Sequence, residues 1–194
     1  MAPRRVGIAG YMGAGKSTAA RLLAQGGGTI IDADRAAKTL MQESLPIRSR
    51  LKETFGPGVL ERGEIRFDLL GQAAFASETS ILKLNEIVHP QLVNFLRKYL
   101  SEFHGKTLIL DAALLPLWRL ETLFDTCLWV HAPPELRVRR ILSRRSGLGE
   151  AEIRERMRLQ EGVLPQPVSL NPWKIVNNVG SPEQLEEIID LFLR

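Results

Sequence analysis

Gly10-Tyr11-Met12-Gly13-Ala14-Gly15-Lys16-Ser17 has the spacing G-x-x-x-x-G-K-S, and Thr18 follows it. Residues of these types in this order handle phosphate. Glycines let successive backbone N–H groups turn inward into an anion-binding hollow that a Cβ would obstruct. A lysine at the end of the run reaches the β- and γ-phosphates of a nucleotide, and the serine hydroxyl meets Mg²⁺. Gly13, Ala14, Gly15, Lys16, Ser17 and Thr18 are therefore the expected phosphate-binding residues, with Ser17 also a metal ligand. The motif implies a nucleotide and leaves its use open.

Other groups could complete that chemistry. Asp32-Ala33-Asp34 directly follows the apolar run Thr29-Ile30-Ile31. In a parallel sheet the carboxyl ends of strands line the ligand crevice. A carboxylate there accepts a hydroxyl proton or holds water on Mg²⁺, while its neighbour caps the helix expected near Arg35. Residue alternation does not choose between Asp32 and Asp34. Asp111 ends Leu108-Ile109-Leu110, a position that either holds Mg²⁺ or starts a turn. His89-Pro90 falls inside a long helical pattern. Proline there is expected to kink or restart the helix and leave His89 at an exposed corner. From Glu135 to Arg158 the chain is rich in arginine, and Arg139 to Arg145 carries four arginines with no acid. The turn Ser146-Gly147-Leu148-Gly149 comes next. The pattern predicts a helical hairpin that closes over bound phosphates, excluding water and neutralising charge. The other reading is a solvated helical pair with Glu150, Glu152, Glu155 and Glu161 as partners of the arginines.

These groups need a frame. Strand-like runs occur at Val6–Ala9, Thr29–Asp32, Thr107–Asp111, Leu128–His131 and Ile175–Asn177, with helical periodicity between them. The alternation predicts an α/β fold, a parallel sheet covered by helices on both faces. Its last helix is signed by Ser181, Pro182 and Gln184 as a capping box, with Leu185, Ile188, Ile189 and Phe192 as its apolar stripe. The alternation breaks between about Pro46 and Gly105. Ile47–Phe55, Phe67–Phe75 and Ile81–Phe103 read as helices there, separated by turns at Gly56-Pro57-Gly58 and Arg62-Gly63. The expected division is a nucleotide-binding core of residues 1–45 and 106–194, with a lid over about 134–161, and a helical substrate region of residues 46–105.

Composition narrows the class. A chain of 194 residues with 44% hydrophobic and 25% charged residues is globular rather than disordered. A net charge of +4 with only 6% aromatics suits polyanionic small molecules better than a nucleic-acid platform. The single cysteine, Cys127, lies in an apolar run and reads as a buried thiol. No apolar run approaches the ~20 residues of a spanning helix, so cytoplasm and no membrane partner are the expectation.

In order along the chain, the phosphate loop, Ile31-Asp32-Ala33-Asp34, Phe55-Gly56 with Gly63, Ile87-Val88-His89-Pro90, the segment Leu136 to Gln160 and Asn177-Asn178 with Gly180-Ser181 resemble the dephospho-coenzyme A kinase family. Six elements in this order make the resemblance specific, and they cover nearly the whole chain. It implies a three-layer P-loop, nucleoside-monophosphate-kinase-like fold with a helical substrate insertion and an arginine-rich lid. It also implies ATP-dependent phosphorylation of the ribose 3′-hydroxyl of dephospho-CoA, with Mg²⁺. Asp34 would be the general base and Lys16 would neutralise the transferring group. Arg140, with Arg144 or Arg145, would close over the phosphates, and Asn178 would lie beside the adenine. Asp32, His89 and Pro90 would join Asp34 at the acceptor, and Asp111 would join Ser17 at the metal. A monomer or weak homo-oligomer without nucleic-acid or membrane partners is expected. The chain departs from the family pattern at Asp111-Ala112-Ala113-Leu114-Leu115-Pro116-Leu117, where no acid follows, at Ile65-Arg66-Phe67, and at Gly149 in place of serine. Two other readings stand beside this one. The loop also looks like that of shikimate kinases, which a panel of acceptor alcohols separates. A non-catalytic nucleotide- or nucleic-acid-binding protein would instead show steeply salt-dependent affinity.

Overall fold

The structure, a computed structural model, describes residues 4–144, 147–164, 166–167 and 173–193. Its elements in chain order are β1 (Arg4–Ala9), α1 (Lys16–Ala24), β2 (Thr29–Asp32), α2 (Ala33–Glu43), α3 (Leu45–Phe55), β3 (Leu60–Glu61), β4 (Glu64–Ile65), α4 (Phe67–Ala74), α5 (Glu78–Glu102), β5 (Thr107–Asp111), α6 (Leu115–Trp118), β6 (Thr126–His131), α7 (Pro134–Ser143), α8 (Glu150–Val163), β7 (Trp173–Asn177) and α9 (Pro182–Leu193). They form two compact units, Met1–Asp32 with Phe103–Arg194, and Ala33–Glu102.

The first unit is built on a five-stranded sheet of order β2-β5-β1-β6-β7 with every pairing parallel. All five strands read from the sequence are present. Alternation along β1 shows why both faces must be covered. Val6 and Ile8 pack with Ala19, Ala20 and Leu23 of α1 and Leu185 and Ile189 of α9. Gly7, between them, faces Leu115, Cys127 and Phe124, with so little room that a Cβ would lie 2.6 Å from Leu115. Burial pushes the Cys127 thiol up to about 12, so it is an apolar filler of the sheet. The capping box of α9 forms as read: Ser181 N–H donates to Gln184 Oε1 at 2.9 Å and Gln184 N–H to Ser181 Oγ at 3.4 Å. The Phe192 side chain lies outside the described residues.

In the second unit α2, α3, α4 and α5 enclose Met41, Ile47, Leu51, Val59, Ile65, Leu70, Ile87 and Val88. This unit begins at Ala33 rather than near residue 46, because α2 packs against α3 and α5. A small antiparallel hairpin, β3 with β4, was not expected. Its turn residues Arg62 and Gly63 both have positive φ, 51° and 85°, as a two-residue hairpin turn requires.

Pro90 corrects a second expectation. It neither ends nor restarts α5, which runs unbroken from Glu78 to Glu102. The bond it forfeits is to the carbonyl of Glu86, an exposed residue whose carbonyl water can satisfy. His89 is therefore on the flank of a continuous helix, partly buried rather than at an exposed corner. Burial lowers its pKa from 6.5 to about 4. As pH falls below 6.5 the unfolded chain gains this proton before the folded chain does, so stability that is intact above 6.5 is lost as pH falls toward 4. In thermal melts from about pH 7.5 to 4.5, the Tm of the wild type should fall more steeply than that of His89→Gln. Parallel slopes would show that His89 is not held neutral.

Candidate active site

The phosphate loop leaves the buried end of β1 and enters α1 without a break. The Tyr11 carbonyl accepts the Ala14 N–H at 3.2 Å and Lys16 Nζ at 3.2 Å, which folds the loop into a tight turn. Gly15 is the N-cap of α1, with φ at 103° and no side-chain cap bond, and the first turn holds no acidic residue. The positive end of α1 is thus open to an external anion. Glycine is required at two places for contact as well as for φ. A Cβ on Gly13, φ +76°, would lie 2.8 Å from the Arg137 carbonyl oxygen, and one on Gly15 would lie 2.2 Å from Asn178 Nδ2.

Asn178 follows β7, is buried, and donates its own N–H to the His131 carbonyl at the end of β6 at 2.7 Å. Its Nδ2 donates to the Ala14 carbonyl at 2.8 Å. Arg140 Nη1 reaches the same carbonyl at 3.3 Å, and its Nη2 donates to Asn178 Oδ1 at 3.2 Å. Ala14 therefore has its carbonyl anchored by two side chains. Burial, then the neighbouring charge of Arg144, lowers the Arg140 pKa. Beside this tie lies a cleft of about 320 Å³ lined by Gly15, Thr18, Arg140, Arg144, Asn178 and Leu185 among others. Residues read from three separate motifs meet at this cleft. Arg145 lies outside the described residues.

The α7–α8 hairpin sorts its arginines. Arg154 pairs with Glu135 and Glu150, each at 2.8 Å. Arg156 pairs with Glu152 and Arg158 with Glu155, also each at 2.8 Å. These are surface pairs of small energetic weight. Arg137 is different: it is 3% exposed, paired with Glu161, and its guanidinium lies 5.1 Å from the centroid of the Tyr11 ring. Tyr11 in turn stands edge-on to Trp129 at 5.0 Å and donates its hydroxyl to the Leu164 carbonyl at 3.1 Å. Burial, then the Glu161 charge, raises the Tyr11 pKa and keeps that donor protonated.

Two carboxylates, Asp32 and Asp111, occupy the carboxyl edge of the sheet. Asp32, the last residue of β2, is in register with Asp111, the last of β5, and Asp111 is in register with Ile8 of β1. Asp111 is buried and Asp32 exposed. The chain passes from Asp32 directly into α2, which starts at Ala33, and Asp34 falls in its first turn. Helix starts suit an anionic side chain. Among the described residues no group of three or more His, Cys, Asp or Glu forms a metal cage. The Ser17 hydroxyl and the Asp111 carboxylate are hard oxygen donors, of the kind that suits Mg²⁺.

A family model for dephospho-CoA kinase matches residues 4–180 of this chain. The chain belongs to the dephospho-CoA kinase family. It is 33% identical over 193 residues to the dephospho-CoA kinase of Bacillus licheniformis, covering 95% of this chain and 94% of the relative. To that of Corynebacterium glutamicum it is 35% identical over 187 residues, covering 94% of each. Among solved structures, TT1252 from Thermus thermophilus superposes with a TM-score of 0.73 at 30% identity, over 100% of this chain and 97% of that one. The dephospho-CoA kinase from Campylobacter jejuni has a TM-score of 0.62 at 18% identity, covering 97% of this chain and 94% of that one, and speaks to the fold alone. Membership makes the chain a kinase with ATP as phosphoryl donor.

Within the dephospho-CoA kinase frame, three side chains at the site carried more than their sequence positions suggested. Arg137 sits four residues before the buried Ile141, on the apolar stripe of α7. Gln160 lies on the α8 stripe with Ile153 and Met157 and accepts the Met12 N–H at 2.8 Å. Reading the α7 stripe for polar members would have found Arg137, while Gln160 closes the Leu136 to Gln160 segment that the family resemblance already covers. Tyr11 occupies a loop position the motif leaves free, and nothing in the motif marks it.

Proposed function

We propose that this chain transfers the γ-phosphoryl group of ATP to the ribose 3′-hydroxyl of dephospho-CoA, giving coenzyme A and ADP. The observation that carries the reading is the tie of Arg140 and Asn178 onto the Ala14 carbonyl. It joins the phosphate loop, the arginine hairpin and the last strand at one cleft, in a chain with this family's motif order. Gly13 to Thr18 bind the phosphates, Lys16 meets the transferring group, and Asn178 borders the base. Arg140, with Arg144 or Arg145, neutralises charge that spreads over the phosphoryl oxygens in transfer. Asp34 accepts the hydroxyl proton and aims the oxygen in line, while Asp32, His89 and Pro90 hold the acceptor. Ser17 and Asp111 would hold Mg²⁺, which when bound offsets the charge of the β- and γ-oxygens. The helices of the second unit, α2 to α5, would form the CoA-binding region. The site of action is the cytoplasm, and the partner is a small molecule rather than nucleic acid or membrane. No helix among the described residues is long and apolar enough to cross a membrane.

A panel of acceptor alcohols with ATP and Mg²⁺ tests this. Dephospho-CoA should give the highest kcat/KM, well above shikimate and deoxyadenosine, with ADP and coenzyme A formed in equal amounts. Turnover of another acceptor by folded protein that leaves dephospho-CoA untouched would overturn it.

A further inference from the structure

We infer that Gln160 is a positioning residue for ATP binding, acting on the phosphate loop through the Met12 amide. The inference rests on the proposed reading of Gly10–Ser17 as the site of the ATP phosphates. The pattern G-x-x-x-x-G-K-S leaves Tyr11 and Met12 free, yet these are the residues the α7–α8 hairpin grips. Gln160 Oε1 accepts the Met12 N–H at 2.8 Å across 148 residues of sequence. The Met12 side chain packs onto the small core of Val138, Ile141, Ile153 and Met157 between the two helices. Tyr11 is held from the same region, by the Leu164 carbonyl on its hydroxyl and by Arg137, itself paired with Glu161, over its ring.

The consequence concerns which amides face the hollow. The Met12 N–H is committed to Gln160 and the Ala14 N–H to the Tyr11 carbonyl, so the loop's turn is set before phosphate arrives. Without an acceptor at position 160, Met12 N–H must find another, and the loop samples turns that point the wrong amides inward. Reordering it then falls as a cost on ATP binding alone. Gln160 acts through the Met12 amide, and the predicted signature is a loss specific to one substrate.

The test is Gln160→Leu in the full chain, with Gln160→Met, unbranched and apolar, if leucine prevents folding. ATP affinity by calorimetry and KM for ATP should both worsen about tenfold, the usual consequence of stranding a donor. KM for dephospho-CoA should stay within about twofold, and Gln160→Glu, which keeps an acceptor oxygen, should recover most of the ATP affinity. Wild-type ATP affinity in the apolar variant would overturn the inference, as would equal losses for both substrates. Binding is read without the acceptor, so a wild type that binds ATP and makes no coenzyme A counts against the acceptor assignment and leaves this comparison intact.

Discussion

Asp34→Asn should lower kcat by about 10²- to 10⁴-fold, the range that positioned general bases supply, while ATP binds with unchanged affinity. The substitution changes the charge and the accepting oxygen at nearly constant shape. Asp34 is exposed in the first turn of α2, where losing the charge costs only about 0.3–1 kcal/mol, so folding should survive. What disappears is the acceptor for the attacking hydroxyl's proton, and an amide cannot replace it. Asp32→Asn is the proper companion. Its side chain starts at the end of β2, in register with Asp111, and its loss should cost less than that of Asp34. Steady-state rates with calorimetric ATP affinities separate the two. A kcat for Asp34→Asn within about threefold of wild type, against the loss a base requires, would remove it from that role.

Lys16→Ala should also be severe, lowering kcat by about 10²- to 10³-fold as expected for one lost electrostatic contact to the transferring group. ATP affinity should fall with it. Lys16 is the first residue of α1, at the helix end where the backbone already favours anions. Its Nζ reaches back 3.2 Å to the Tyr11 carbonyl across the loop, which places the ammonium over the hollow that phosphates would fill. Lys16→Arg should restore little, because a planar fork does not replace a compact point charge. Unimpaired turnover by Lys16→Ala would mean that the hollow is not where the donor is held.

Much of this was legible because it is local. Alternation and apolar runs gave all five strands, and the Ser181–Gln184 box gave the start of the last helix. Glycine spacing gave the phosphate loop. Pro90 was misread because packing overrode propensity: Ile87, Val88, Leu92, Leu96 and Leu100 are buried on both sides of it, and one stripe keeps the helix whole. The β3–β4 hairpin was missed because its strands are two residues each, too short for any period to show. Spacing made the arginine segment legible only as a class, and it was the family resemblance that singled out Arg140. Which arginine turns inward depends on partners far away in sequence, Tyr11 for Arg137 and Asn178 for Arg140. No spacing rule joins residues 14, 140 and 178.

The central claim is that the phosphate from ATP lands on the ribose 3′-hydroxyl of dephospho-CoA. The most direct measurement is phosphorus NMR of the purified product after incubation with ATP, Mg²⁺ and dephospho-CoA. One new monoester resonance should appear, coupled to the ribose 3′-hydrogen and matching coenzyme A, in amounts equal to the ADP formed. ADP formed without that resonance, or a phosphate on any other hydroxyl, would contradict it.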